Sequence, residues 1–121
     1  MSDMSGIAGR LACALLLALA YPAWSAPDPL PKEVQDFVAR RESCDHWRGE
    51  DGYDAERQKD IDWSLCQACT GTDAELARLN RKYRGNTAVT QALAGFEPRI
   101  EPADKAARAR FCKTTRKPDW A

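Results

Sequence analysis

Apolar residues in this chain come in short patterns separated by glycine and proline, and the spacing inside each pattern decides what it forms. Val34, Phe37 and Val38 recur three and four positions apart. That spacing gathers them on one face of a helix over about Pro31 to Trp47, entered from the extended Pro27, Pro29 and Pro31 stretch. Gly49 and Gly52 end it. Asp54 is placed to cap a second helix with Ile61, Leu65 and Ala68 on one side, stopping near Gly71. Thr72-Asp73-Ala74-Glu75 has capping-box spacing and predicts a third helix bearing Leu76, Leu79 and Tyr83, closed at Gly85. A short fourth, about Thr87 to Ala94, presents Val89 and Leu93 before Gly95 and Pro98 interrupt it. The alanine-rich run from Pro102 to Lys113, with Phe111 and Cys112, reads as a last helix. No alternating run of β-branched residues predicts a strand. The expected fold is all-α, a small bundle of about four to five short helices in one domain, residues 26–113, followed by a basic tail, 114–121.

One apolar run is of another kind. Arg10 precedes "LACALLLALA", and small and polar residues follow in "YPAWSAPDPLP", the order of a secretory signal peptide. Its core, Leu11 to Ala20, is far shorter than the roughly 20 residues needed to span a bilayer. Residues 1–25 are therefore expected to leave as a leader. Ala23 and Ser25 place the cut after Ser25. Cys13 precedes the apolar run, so it cannot be acylated as in a lipoprotein and departs with the leader. The mature chain is expected to be soluble, in the periplasm or outside the cell, with no membrane span.

Charge narrows the classes of partner. The sequence has 18 basic and 18 acidic residues, and loss of Arg10 and Asp3 with the leader keeps the balance at zero. A neutral domain lacks the basic excess of a nucleic-acid binder. Four cysteines remain, Cys44, Cys66, Cys69 and Cys112, an even number that in an oxidising compartment reads as two disulfides stapling a small core. Cys66 and Cys69 lie three apart on one helix and face the same side, so each can reach a cysteine on a different neighbour. Cys44 with Cys69 and Cys66 with Cys112 satisfies this. Cys44 with Cys66 and Cys69 with Cys112 does so nearly as well.

The same residues invite sharper readings. Cys44, His46, Cys66 and Cys69 are a chemically suitable zinc set. On one helix, however, Cys44 and His46 point about 200° apart, and the set strands Cys112. A redox Cys-x-x-Cys is usually stabilised at a helix N-terminus, whereas Cys66 and Cys69 fall in the last turn of the second helix. Haem attachment needs a histidine at position 70, which is Thr70. Neither a metal nor another cofactor is expected.

His46, the single histidine, lies four residues after Glu42 near a helix C-terminus, where carboxylate and dipole both favour its protonated form. That structural role outweighs a catalytic one. Arg41 and Asp45 read as an ordinary helix-surface pair. Even so, Asp45, His46, Trp47, Arg48, Glu50 and Asp51 crowd one turn beside stapled helices, where binding residues tend to sit. They are the candidate partner-binding patch. Lys105, Arg108, Arg110, Lys113, Arg116 and Lys117 outnumber Asp104 and Asp119 at the C-terminus. This basic stripe could meet an anionic surface, although a solvated helix face with a frayed tail accounts for it more simply.

The block "CDHWRGEDGYDAER", with "CTGTDAELARLNRKYRGN" after it, resembles a family of small exported proteobacterial proteins of unknown function. That family's motif is similar to Cys-Asp-His-aromatic-Arg-Gly-Glu with a later Cys-Thr-Gly-Thr-Asp. The resemblance spans about Phe37 to Ile100. It implies that Cys44 and Cys69 match the family's two cysteines and pair, leaving Cys66 and Cys112 as additions. The cysteine-bearing helices and "ELARLNRKY" are also similar to the helical lysozyme inhibitors of LprI type.

Two functional classes follow. One is a non-catalytic binding or inhibitor module presenting the Asp45-to-Tyr53 loop to a periplasmic or extracellular protein or envelope component. The other is a small hydrolase using His46 with Glu50 or Asp51. An enzyme needs a concave, water-excluding site. A short helical chain with one histidine, no Gly-rich phosphate loop and no Gly-x-Ser-x-Gly motif fits the first class better.

Overall fold

Three of the five helices begin at a side chain that accepts a hydrogen bond from the backbone three residues on. Asp54 takes the N–H of Arg57 at 2.8 Å, Asn86 that of Val89 at 3.1 Å and Asp104 that of Ala107 at 2.9 Å. Each cap satisfies a donor the helix itself cannot, an effect of about 1 kcal/mol. The computed structural model describes residues 29–121. The expected leader and its cut after Ser25 lie outside the described residues. The helices are α1 (Lys32–Arg48), α2 (Ala55–Cys69), α3 (Thr72–Lys82), α4 (Thr87–Leu93) and α5 (Lys105–Thr114). No strand occurs among the described residues, and no helix among them is long and apolar enough to cross a membrane.

α1 is the spine. α2 runs back along its C-terminal half, with Trp47 and Trp63 bordering one groove and Arg40 donating to the Thr70 carbonyl. Gly71, at φ +82°, turns the corner in a left-handed conformation that favours glycine. α3 then continues along the N-terminal half of α1. Glu33 fastens that end, accepting from Tyr83 Oη at 2.5 Å, from Arg78 Nη2 at 2.9 Å and from Lys82. Between them Val34, Phe37, Leu76, Leu79, Val89 and Leu93 form the larger core cluster, flanked by Leu30, Val38, Tyr83 and Phe96. These are the residues whose helical spacing predicted the elements.

A smaller cluster of Cys44, Ala68 and Cys69, with Leu65 and Ile100 against it, fills the other end of α1. Two disulfides stand here. Cys44 joins Cys69 with Cα atoms 5.0 Å apart, and Cys66 joins Cys112 with Cα atoms 5.6 Å apart. The structure thus selects one of the two pairings left open by the spacing. The fold is a small, disulfide-stapled, all-α bundle.

Four local expectations are corrected. The capping box at Thr72 does not form: Thr72 is the first residue of α3, and its hydroxyl donates to the Cys69 carbonyl at 2.7 Å. A distant exchange takes its place. The Asp73 N–H donates to Glu101 Oε1 at 2.9 Å, and the Asp73 carboxylate accepts from the N–H groups of Ile100 and Glu101. The last helix starts at Lys105 rather than Pro102, because Asp104 caps it. Arg41 is not a surface residue. It is fully buried, pairs with Asp45 at 3.1 Å, donates to the Glu97 carbonyl at 2.9 Å and lies over the Phe96 ring. The tail is not frayed either: Ala121 N donates to the Pro118 carbonyl, and Trp120 packs against two other tryptophans.

Candidate functional site

The α1–α2 turn is built on two sets of paired charges. α1 ends where the Gly49 N–H turns back to the His46 carbonyl at 3.0 Å and the Glu50 N–H to the Trp47 carbonyl at 3.2 Å. In that last turn Asp45 Oδ1 accepts from Arg41 Nε at 3.1 Å and from Arg48 Nη1 at 3.0 Å. The partner of His46 is Glu50, with Nε2 3.4 Å from Oε1, and not Glu42 as the helical spacing suggested. The chain leaves the helix after Arg48 and carries Glu50 back beside the ring. Glu50 Oε2 in turn accepts from Arg57 Nη2 at 3.1 Å, and the Arg57 guanidinium sits 5.1 Å from the centre of the Trp47 ring.

Of the expected site residues, the structure places Asp45 and Arg48 in one set with Arg41, and His46, Trp47 and Glu50 in a second set around Arg57, while Asp51 lies exposed beyond both. Tyr53 is 83 % exposed. The carboxylates of Asp45 and Glu50 are already bridged by arginines, so they stiffen the turn. The groups left facing outward are Asp51, Tyr53 and the open side of His46.

Sequence reasoning missed the aromatic cluster beside this turn. Trp47 and Trp120 stack with ring centroids 5.9 Å apart, and Trp63 meets Trp120 edge to face at 6.2 Å. A shallow groove of about 390 Å³ runs along them, bordered also by Arg40, Ser43, Ser64 and Gln67. The Ser64 hydroxyl is buried there without a hydrogen-bond partner among the described residues. A signal for part of this exists in the sequence. Trp47 lies three residues after Cys44 and Trp63 six before Cys69, so antiparallel helices bonded through these two cysteines carry both tryptophans on the turn side of the bond. The return of Trp120 had no such signal.

The alternative site chemistries fare differently. The three sulfurs of the zinc set are committed to disulfides, Cys44 with Cys69 and Cys66 with Cys112, and Cys44 is buried while His46 is exposed. Cys66 and Cys69 are bonded to different partners and not to each other, so they form no redox pair. The His46–Glu50 pair, 3.4 Å apart, makes no hydrogen bond and lies outside the roughly 2.6–3.2 Å reach of general acid–base work. His46 is 62 % exposed, Glu50 is shared with Arg57, and the tryptophan groove is lined by neither.

No family model, no curated protein and no solved structure matches the chain.

Proposed function

We propose that this protein is an exported, non-catalytic binding or inhibitor module that presents the α1–α2 turn, with the tryptophan groove at its flank, to a protein or envelope component outside the cytoplasm. One observation carries the reading. Arg41, Asp45, Arg48, Glu50 and Arg57 are paired with one another, with only the buried Arg41 Nη1 lacking a hydrogen-bond partner among the described residues, so the exposed Tyr53 and Asp51 stand on a pre-organised base. Rigid presentation lowers the ordering cost of association. Tyrosine, tryptophan and arginine are also the residue types that dominate binding energy at interfaces. Two disulfides suit an oxidising compartment, in keeping with the leader expected from residues 1–25. The similarity of the cysteine-bearing helices to LprI-type inhibitors makes a lysozyme the first partner to test.

The test compares wild type with Tyr53→Ala and His46→Ala, all three checked for unchanged helical circular dichroism. Retention of a defined periplasmic partner, or inhibition of a lysozyme, that falls at least about tenfold in Tyr53→Ala supports the module. Turnover of a substrate by the wild type that vanishes in His46→Ala would establish the hydrolase instead.

A further inference from the structure

Charge in this neutral chain is sorted along its length. Between Asp104 and Asp119 there are six basic and two acidic residues, so the part before it carries the compensating acidic excess. The two parts also treat their cations differently. Of the eleven basic residues from position 29 to 103, Lys32, Arg41, Arg48, Arg57, Lys59, Arg78 and Lys82 hold a carboxylate in an ion pair. Among the described residues none of Lys105, Arg108, Arg110, Lys113, Arg116 and Lys117 does so. All but Arg108 are exposed.

α5 contributes no buried residue. It is fastened by the Cys66–Cys112 bond, with Ala107, Arg108 and Cys112 half-buried and its other side chains exposed. Phe111 is 41 % exposed, with the Arg108 guanidinium 5.5 Å from its ring centre, and borders a groove shared with Lys59, Asp62 and Arg116.

We propose that the solvent side of α5 and the segment up to Lys117 are a docking face for an anionic phospholipid surface, drawn in by the exposed cations there and seated by the Phe111 ring at its edge. Charge complementarity selects an anionic partner. The phenyl ring chooses between a lipid surface and a soluble polyanion, because an exposed aromatic beside lysines and arginines gains from the boundary between headgroups and acyl chains and nothing from a purely ionic polymer. Each cation near an anionic leaflet raises partitioning roughly fivefold. Neither Phe111 nor any of the six cations borders the tryptophan groove, so loss of them leaves that groove intact.

The experiment is vesicle co-sedimentation of the oxidised protein, its N-terminus defined by intact mass and identical in every variant. Vesicles of phosphatidylcholine alone are compared with vesicles containing phosphatidylglycerol, at low and high salt. Binding should be confined to the anionic vesicles and should weaken steeply with salt, since the cations are exposed. The combined variant Arg110→Gln, Lys113→Gln, Arg116→Gln and Lys117→Gln should lose about a hundredfold or more of it. Phe111→Ala should lower vesicle binding severalfold while leaving binding to a soluble polyuronate unchanged. Tyr53→Ala should bind vesicles like wild type, which separates this test from that of the turn. Equal binding to both kinds of vesicle, no binding at low salt, or binding to the polyuronate alone overturns the proposal.

Discussion

Trp120, from the last turn of the chain, lies over Trp47 at the end of α1 with the ring planes 16° from parallel. The contact makes the C-terminal segment part of the bundle without burying it, for Trp120 is still 58 % exposed. Stacked aromatic pairs contribute about 0.5–1.5 kcal/mol beyond the area they cover. Trp120→Ala should therefore lower unfolding free energy by about 1 kcal/mol, leave far-ultraviolet circular dichroism unchanged and alter the near-ultraviolet tryptophan bands. A variant with unchanged near-ultraviolet bands would show that the tail does not rest there in solution.

Glu33 gives the fold a defined acid response. Lys82, Tyr83 and Arg78 all donate to its carboxylate, and together they lower its pKa from 4.5 to about 2. Because the folded value lies below the unfolded one, the contribution of Glu33 is fully present above about pH 4.5 and is lost as the pH falls towards about 2. Thermal melts of wild type and Glu33→Gln across that window should converge as the pH drops, with the wild type the more stable at neutral pH. Parallel curves would mean that the three donors do not hold the carboxylate.

Arg41 sits wholly inside, and its replacement tests whether it belongs to the core. Arg41→Ala removes a large buried side chain and the partner of Asp45 and of the Glu97 carbonyl. A loss of about 2–4 kcal/mol is expected in denaturant unfolding, near the cost of breaking a buried pair. A loss below about 0.5 kcal/mol, the usual range for surface substitutions, would place Arg41 back on the surface.

The two staples should respond differently to removal. By loop length, with separations of 25 and 46 residues, chain-entropy estimates are about 3.5 and 4 kcal/mol. Cys44→Ala with Cys69→Ala also empties the smaller core cluster and should cause the larger fall in melting temperature. Cys66→Ala with Cys112→Ala should instead release α5, visible as lost helix signal and rapid amide exchange over Lys105–Thr114. Non-reducing peptide mapping that finds Cys44 bonded to Cys66 would contradict both expectations.

Legibility in the sequence followed the range of the interaction. Val34, Phe37, Leu76, Leu79, Val89 and Leu93 were readable because helical periodicity is local and each of them ends in the core. The Asp54 cap was readable for the same reason. Arg41, Thr72 and His46 were misplaced because their partners are set by the path of the chain: Glu97 comes from the connector after α4, Glu101 replaces the Thr72 capping box, and Glu50 enters after α1 has ended. Capping-box and i,i+4 rules describe what a helix offers in isolation. They give way when a distant backbone group arrives with better geometry. For the site, the crowded turn from Asp45 to Asp51 was evident, while the groove beside it depended on the return of Trp120.

The interior is divided into two clusters, and both covalent cross-links belong to the end of α1 that bears the tryptophans and the paired turn. The opposite end, around Val34 and Leu79, is held by packing and by the Glu33 clasp alone. Oxidation therefore acts on only one of the two ends. The α1–α3–α4 half can pack at any redox potential, whereas the half that carries the paired turn and the tryptophans waits for its sulfurs to be joined. Completion of one half of the fold thereby becomes a reading of the redox state around the chain.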